Sequence, residues 1–555
     1  MKWIKRIFFS LITILLLVVL AAFIYMKSDT KIPYDRPDPM PVDVPMFSEA
    51  DLNFTQKFNA ADHLPVMGAG IIDINNDGQP ELWFGGGEGQ QDGLFQYSDG
   101  NFVDITEGSG FTDKEDKVQS YGPAVYDMDG DGDQDILICR DSGVFLYTNN
   151  NGKFKGQKLN LKFDEKSTPI AVTCGDINKD GNIDLFVSTY LPKKKMEGQT
   201  IFLQEGYGAN SRLFANRGNN KFEDITEASG MSYTHNTFMA IFIDLDGDSN
   251  LDIAAAYDTG EPRLYRNLGN EKFVMAPNPM TGKYGYPMGI GVGDYNSDGR
   301  PDLFYSNTGS TMPTAILKGD LDLDKQEFNG KWLMFRNDGN FKFTDTAKET
   351  EVADYEFSWG ALFEDFNLDG LQDLVVAENY VGLPLFKLAK SPCRFLLNTP
   401  SNKFVATGKE SGVANPNYAI SPLTADFNND GYPDLVYSNI AGRSRAFINK
   451  GGDKKYLKVN LQQTPKALGA KVIVTKSDGK KLTDWLVVGE GLGSDQSHTL
   501  VFGLGDATSV SNVKIVYADG SEQSISNPKI NQTLNVELPK MEESVVDSLD
   551  MMMKK

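Results

Sequence analysis

The nine residues DMDGDGDQD at positions 127–135 decide how this chain is read. Asp127, Asp129, Asp131, Asp133 and Asp135 crowd five carboxylates into one short stretch. So many like charges repel one another unless a cation lies among them. Side-chain oxygens at positions 1, 3 and 5 can converge on one hard ion when the loop curls, and position 7 offers its backbone carbonyl. Glycine at position 6 permits the sharp turn. A further acid stands at position 9, directly before the apolar run ILI.

The same pattern recurs seven times, with starts 54, 49, 68, 50, 71 and 61 residues apart. Loop 1 (DINNDGQPE) offers Asp73, Asn75, Asp77, the carbonyl of Gln79, and Glu81. Loop 2 is the stretch just quoted. Loop 3 (DINKDGNID) offers Asp176, Asn178, Asp180, Asn182 and Asp184, and loop 4 (DLDGDSNLD) offers Asp244, Asp246, Asp248, Asn250 and Asp252. Loop 5 (DYNSDGRPD) supplies Asp294, Asn296, Asp298, Arg300 and Asp302. Loop 6 (DFNLDGLQD) supplies Asp365, Asn367, Asp369, Leu371 and Asp373. Loop 7 (DFNNDGYPD) supplies Asp426, Asn428, Asp430, Tyr432 and Asp434. In each, the fourth-named residue contributes through its backbone carbonyl. These are hard oxygens without sulfur or imidazole, a set that suits Ca²⁺ over zinc or copper. Loop 4 departs at position 6, where Ser249 replaces glycine. Seven bound calcium ions would offset most of the formal net charge of −22.

An EF-hand begins in the same way but requires a bidentate glutamate at position 12. Here position 12 is Phe84, Ile138, Val187, Ala255, Tyr305, Val376 and Tyr437. Strand-like runs flank each loop, such as AVTC before loop 3 and LFV after it, so each loop joins two strands rather than two helices. A second unit follows, as in LFANRGNNKFEDITEASGM from Leu213: strand, Asn/Gly turn, Phe-bearing strand. The repeat is therefore four strands, and the expected fold is all-β, a seven-bladed β-propeller. The last repeat lacks its own fourth strand, and DLNFTQKF at 51–58 is expected to supply it and close the ring.

The chain of 555 residues is long enough for this ring and a further domain. Its acidity argues against nucleic acid as a partner. Cys139, Cys174 and Cys393 show neither a CxxC nor a zinc spacing, and Cys139 and Cys174 lie in apolar runs, so buried free thiols are expected. His63, His235 and His498 are far apart and give little support to a histidine-based site.

At the N-terminus, Lys2, Lys5 and Arg6 precede an apolar run from Ile7 to Tyr25. Its length approaches the ~20 residues that span a bilayer. Residues 1–26 are expected to form an uncleaved signal anchor, a transmembrane helix with its basic end in the cytoplasm; secretion after signal cleavage is the alternative. The bulk of the chain would then be extracytoplasmic, in the periplasm or at the cell surface. Residues 27–46 are rich in proline and read as an extended spacer.

The repeats over 47–453 closely resemble the FG-GAP/VCBS propellers. In that family the calcium loops join the first and second strands of each blade on one face, which implies a structural role for the ions. Residues 454–539 carry LGAKVIV, VVGEGLGSDQS, LVFGLGD and VKIVYADGS, short strands between glycine turns. This set resembles the ASPIC/UnbV domain that follows such propellers in the cartilage acidic protein family and its bacterial relatives. Ala518 stands where a proline is common, and Asp495 precedes the expected Gln496. Gly491 and Gly493 are not read as a phosphate loop, because no helix or lysine follows. The tail 540–555 is expected to be disordered.

With the calcium loops on one face, recognition is expected on the other, where three long connections gather Tyr190, Lys193, Lys194, Tyr207, Tyr380 and Phe386. No catalytic constellation is visible. The expected function is a membrane-anchored interaction or adhesion module for a protein or glycan ligand. The alternative is an extracytoplasmic lyase or hydrolase of polysaccharide working on the same face.

Overall fold

A computed structural model describes residues 2–28, 32–111, 114–115, 117–198, 200–310, 314–380 and 391–538. The described chain is dominated by strands grouped into small sheets. Seven of these sheets contain the repeats. Sheet 1 comprises Ala69–Ile72, Glu81–Phe84, Gly93–Ser98 and Asn101–Asp104, and sheet 2 comprises Ser120–Tyr126, Asp135–Arg140, Gly143–Asn150 and Lys153–Lys158. Sheets 3 to 7 begin at Thr168–Gly175, Thr237–Ile243, Ile290–Gly293, Ser358–Glu364 and Ala419–Ala425 and continue as antiparallel meanders of the same kind. Each first strand packs beside the first strand of the next sheet, and that of sheet 7 returns to that of sheet 1. The result is a closed, propeller-like ring in which every acidic loop joins a first strand to a second.

Burial follows from this position. First and second strands are sandwiched between neighbouring sheets, so runs such as Asp135–Arg140 and Thr237–Ile243 are buried at every residue. Outer strands such as Asn101–Asp104 are buried only at one alternate residue, Phe102. The three cysteines are buried and free, as expected for Cys139 and Cys174.

Closure differs from the expectation by a few residues. The strand that completes sheet 7 is Phe47–Ala50, which pairs antiparallel with Arg445–Asn449 in the register Phe47 with Asn449. Phe47 and Ala50 supply the buried positions there. The segment 51–58 instead bridges sheets 7 and 1: Thr55 pairs with Arg443, Leu52 pairs with Phe102, and Phe54 stacks on Phe84 at 4.9 Å. The spacer is also strapped down rather than free. Tyr34 donates to Asp354, Arg36 pairs with Glu410 at 2.5 Å, and the carbonyl of Asp43 accepts from Asn367. These contacts carry residues 32–46 along the flank of sheet 6.

The N-terminal segment is helical over Lys2–Ser28. No helix among the described residues is long and apolar enough to cross a membrane, so the expected transmembrane helix is not borne out. This helix carries Lys5 and Arg6 in its first turns and Ser10 and Thr13 among its apolar residues, all exposed. The tail 540–555 lies outside the described residues.

The C-terminal module contains two sheets. In one, Lys455–Leu461 lies between Thr499–Gly505 and Thr533–Val536. The other has the order Lys481–Trp485, Lys471–Lys476, Val510–Val516, Glu522–Ser526. The module sits on the face that carries the acidic loops, and residues 488–496 reach into the centre of the ring. Ser494–Asp495 pairs in parallel with Ala69–Ile72 of sheet 1. Asp495 accepts the Val125 N–H of sheet 2 at 2.6 Å, and Thr173 of sheet 3 donates to the Val488 carbonyl at 2.8 Å. Gly491 exchanges two backbone hydrogen bonds with Ile290 of sheet 5, and Gln496 accepts from Thr424 of sheet 7. Gly491 and Gly493 are therefore packing glycines that let backbone approach backbone: a Cβ on Gly122 would lie 2.9 Å from the Cα of Gly493.

This packing predicts that Gly122→Val expels the axial segment and costs more than about 3 kcal/mol in chemical denaturation. Gly100→Ala, at a positive φ in open space, should cost only about 1 kcal/mol.

Candidate metal centres

All seven loops share one hydrogen-bonded turn. The position-1 aspartate accepts backbone N–H groups with both oxygens: Asp73 takes Asp77 at 3.1 Å and Gly78 at 2.9 Å. Asp176, Asp294, Asp365 and Asp426 repeat this pattern, while Asp127 and Asp244 take positions 4 and 6. The side chain at position 5 accepts the N–H of position 7, as Asp180 does from Asn182 at 2.8 Å. Position 4 is left-handed in every loop: Asn76, Lys179, Ser297, Leu368 and Asn429 have φ of 54–62°, and Gly130 and Gly247 have 81°. Ser249 at position 6 of loop 4 adopts φ 65° and donates to Asp244 at 2.8 Å, so the serine keeps the turn.

The position-9 carboxylates are the most deeply placed. Glu81, Asp135, Asp184, Asp252, Asp373 and Asp434 accept the N–H of position 2 of their own loop. In loop 5 that bond is missing, and Asp302 Oδ2 is a buried acceptor without a partner. Burial pushes these carboxyls upward: Asp135 to about 7, and Glu81, Asp184 and Asp252 to about 8. Asp302, Asp373 and Asp434 are raised well above the usual carboxylate range for the same reason. In loops 2 and 4, where position 3 is aspartate rather than asparagine, three carboxylates converge. Oxygens of Asp127, Asp129 and Asp135, and of Asp244, Asp246 and Asp252, lie within 4.8 Å of one another. Buried carboxylates, an orphaned acceptor and all-oxygen donors fit a hard divalent cation.

A further set of residues was missed at the level of sequence. An asparagine at the end of each third strand from sheet 2 onward donates its N–H to the position-9 carboxylate: Asn149, Asn216, Asn267, Asn337, Asn398 and Asn449. Five of them also donate through Nδ2 to the position-2 carbonyl of the preceding loop, as Asn267 does to Ile177 at 2.9 Å. They staple each loop to its neighbour. Their signal was present in NRG, NLG, NDG and NKG, where the asparagine reads simply as a turn residue.

Of the residues expected to form a recognition face, the tyrosines are turned inward. Tyr190 is buried with its hydroxyl on Asp258, and Tyr380 is buried with its hydroxyl on Glu356. Tyr207 is half-buried and donates to the Gly198 carbonyl at 2.9 Å. Lys193 begins a short 3₁₀ turn, Lys194 pairs with Asp62 at 2.7 Å, and Phe386 lies outside the described residues. The large cleft, about 910 Å³, is instead on the loop face, between loops 1 and 2 and the C-terminal module. Asp77, Asp129, Asp131, Gln462, His498 and Asn535 are among its lining residues. His498 is buried there, with neither ring nitrogen hydrogen-bonded.

Residues 73–138, 127–187 and 244–305 match the FG-GAP-like repeat family, and 460–543 match the ASPIC and UnbV family. The chain carries FG-GAP-like repeats and a C-terminal ASPIC and UnbV domain. The axial segment 488–496 lies inside that domain, as does His498. The chain is 26% identical to cartilage acidic protein 1 of Mus musculus over 401 residues, covering 66% of this chain and 57% of the relative. The Homo sapiens protein of the same name gives 26% over 401 residues, 66% and 56%. The chain thus spans little more than half the length of these relatives. Among solved structures, a lectin from Burkholderia pseudomallei is similar at 9% identity and a TM-score of 0.42, covering 70% of this chain and 98% of that one. A rhamnogalacturonan lyase is similar at 14% and 0.38, covering 73% and 74%.

Two predictions follow from the loops. Asn267→Ala leaves the carbonyls of Ile177 and Leu251 without their donor and should cost about 1–3 kcal/mol by urea denaturation. The pH dependence has an unusual sign. A carboxyl whose pKa is higher folded than unfolded stabilises the fold below its unfolded value near 4, and that stability is lost as pH rises to the folded value. Chelator-treated protein should therefore resist urea better at pH 5 than at pH 8.5, the loss accumulating between about pH 4 and about pH 8, from the unfolded to the folded values of Asp135, Glu81, Asp184 and Asp252.

Proposed function

We propose that this protein is a calcium-stiffened, seven-bladed propeller that binds a protein or glycan ligand as an interaction module outside the cytoplasm. The observation that carries the calcium reading is the repeated burial of a position-9 carboxylate beneath converging oxygen donors, with Asp302 Oδ2 left unpartnered. A divalent cation beside such a loop would restore the charged form of its acid and offset the desolvation. Its role is structural: position 9 opens the second strand, so an ion there ties the two innermost strands of a blade together.

The ligand site is assigned to the cleft on the loop face. It is polar, bounded by two different domains, and contains a buried histidine with no hydrogen bond of its own. Ligand sites concentrate at such domain junctions. The exposed apolar side chains of the N-terminal helix, among them Trp3, Phe8, Phe9, Leu11 and Leu16, support attachment to a lipid surface.

Thermal melts in calcium and in EGTA at pH 7.5 test the first claim. A fall in Tm of at least about 10 °C on chelation is expected, and an unchanged Tm would remove the structural role of calcium. Fractionation tests the attachment: the full chain should pellet with membranes, and a chain starting at residue 32 should stay soluble and folded. A soluble full chain would sink that claim.

A further inference from the structure

The seven loops are not equivalent, because among the described residues one has its position-1 aspartate paired with a cation from the protein itself. Lys458, in the central strand of the C-terminal three-stranded sheet, places Nζ 2.7 Å from Asp426 Oδ2 and 2.6 Å from Asn429 Oδ1. Asp426 is position 1 of loop 7 and Asn429 is position 4. Both members of the ion pair are nearly solvent-free, with side-chain exposures of 5% and 4%. Among the described residues, the position-1 aspartates of the other six loops, Asp73, Asp127, Asp176, Asp244, Asp294 and Asp365, take part in no ion pair. The arginines that reach loops 4 and 5 are about half exposed and meet positions 3 and 5: Arg266 on Asp246 and Asp248, Arg300 on Asp298.

Loop 6 supplies the contrast. It too is covered by the C-terminal module, so closely that a Cβ on Gly503 would fall 2.0 Å from Asp365 Oδ2. Yet no lysine or arginine pairs with Asp365. At loop 7 the covering strand brings an ammonium, and Tyr456 closes over Gly431, where any Cβ would collide with its ring. Lys458 is thus built in rather than draped over a surface.

We propose that loop 7 does not take calcium: the Lys458 ammonium is its resident cation, and this internal ion pair replaces the metal while clamping the C-terminal module to the ring. The proposal rests on the calcium reading of the other loops. A divalent ion on Asp426 would share one carboxylate with a buried ammonium, and like charges at that range in a poorly solvated site weaken binding by at least about a hundredfold.

The test counts calcium bound per full-length chain, by equilibrium dialysis and atomic emission. Asp426→Asn should leave the wild-type count unchanged, whereas Asp73→Asn should lower it by one. Lys458→Met should raise the count by one, and the extra ion should vanish in Lys458→Met/Asp426→Asn. Lys458→Arg, which keeps the charge, should keep the wild-type count. Loss of one ion in Asp426→Asn, or an unchanged count in a folded Lys458→Met, would overturn the proposal. If Lys458→Met does not fold, the Asp426→Asn and Asp73→Asn pair still decides. A count of zero in every chain is a separate failure, because it removes the calcium reading itself and this inference with it.

Discussion

The structure depends on one recurring constraint, a carboxylate placed at the inner end of every second strand and buried there. Glu81, Asp135, Asp184, Asp252, Asp302, Asp373 and Asp434 all occupy this position. Removing such a group from water is costly unless its lone pairs are met. Backbone N–H groups meet part of the demand, one from position 2 of the loop in six of the seven and one from a third-strand asparagine from sheet 2 onward. Because many of those asparagines also bond the preceding loop, satisfying the acid fixes the spacing between sheets. The ring is held by apolar packing, but its pitch is set by polar groups.

Much of this could be read from the sequence, and the reason is local. Aspartate at fixed intervals, glycine at the turn and an apolar run after position 9 interact within nine residues, so their spacing carries their geometry. The exclusion of an EF-hand at position 12 rests on the same locality. The four-strand repeat is legible because a strand packed on both faces must be apolar throughout.

What escaped the sequence was long-range. The closing strand was placed at 51–58 rather than Phe47–Ala50, because apolar residues lie on both stretches and only pairing with Arg445–Asn449 distinguishes them. The asparagine staples act between sheets and resemble ordinary turn residues. Tyr190 and Tyr380 stand at the starts of long connections, yet each is folded inward onto a carboxylate, Asp258 or Glu356. The prolines of residues 27–46 favour extended chain, which suits a spacer and a strap along a sheet equally well.

The least legible feature was how the two domains meet. A glycine-rich stretch at 488–497 reads as a turn in a separate module, but its backbone enters the ring and contacts the first strands of sheets 1, 2, 3, 5 and 7. Ring and module therefore share one hydrogen-bonded interface, and the loop face is an internal boundary as much as an outer surface. That changes what the acidic loops do. On an isolated ring they would only stiffen blades; beneath the module they also form one wall of a polar cleft and the floor on which the C-terminal strands rest. A domain so placed cannot leave without exposing Asp365 and unpairing Lys458 from Asp426, which links its docking to the charge state of the loops.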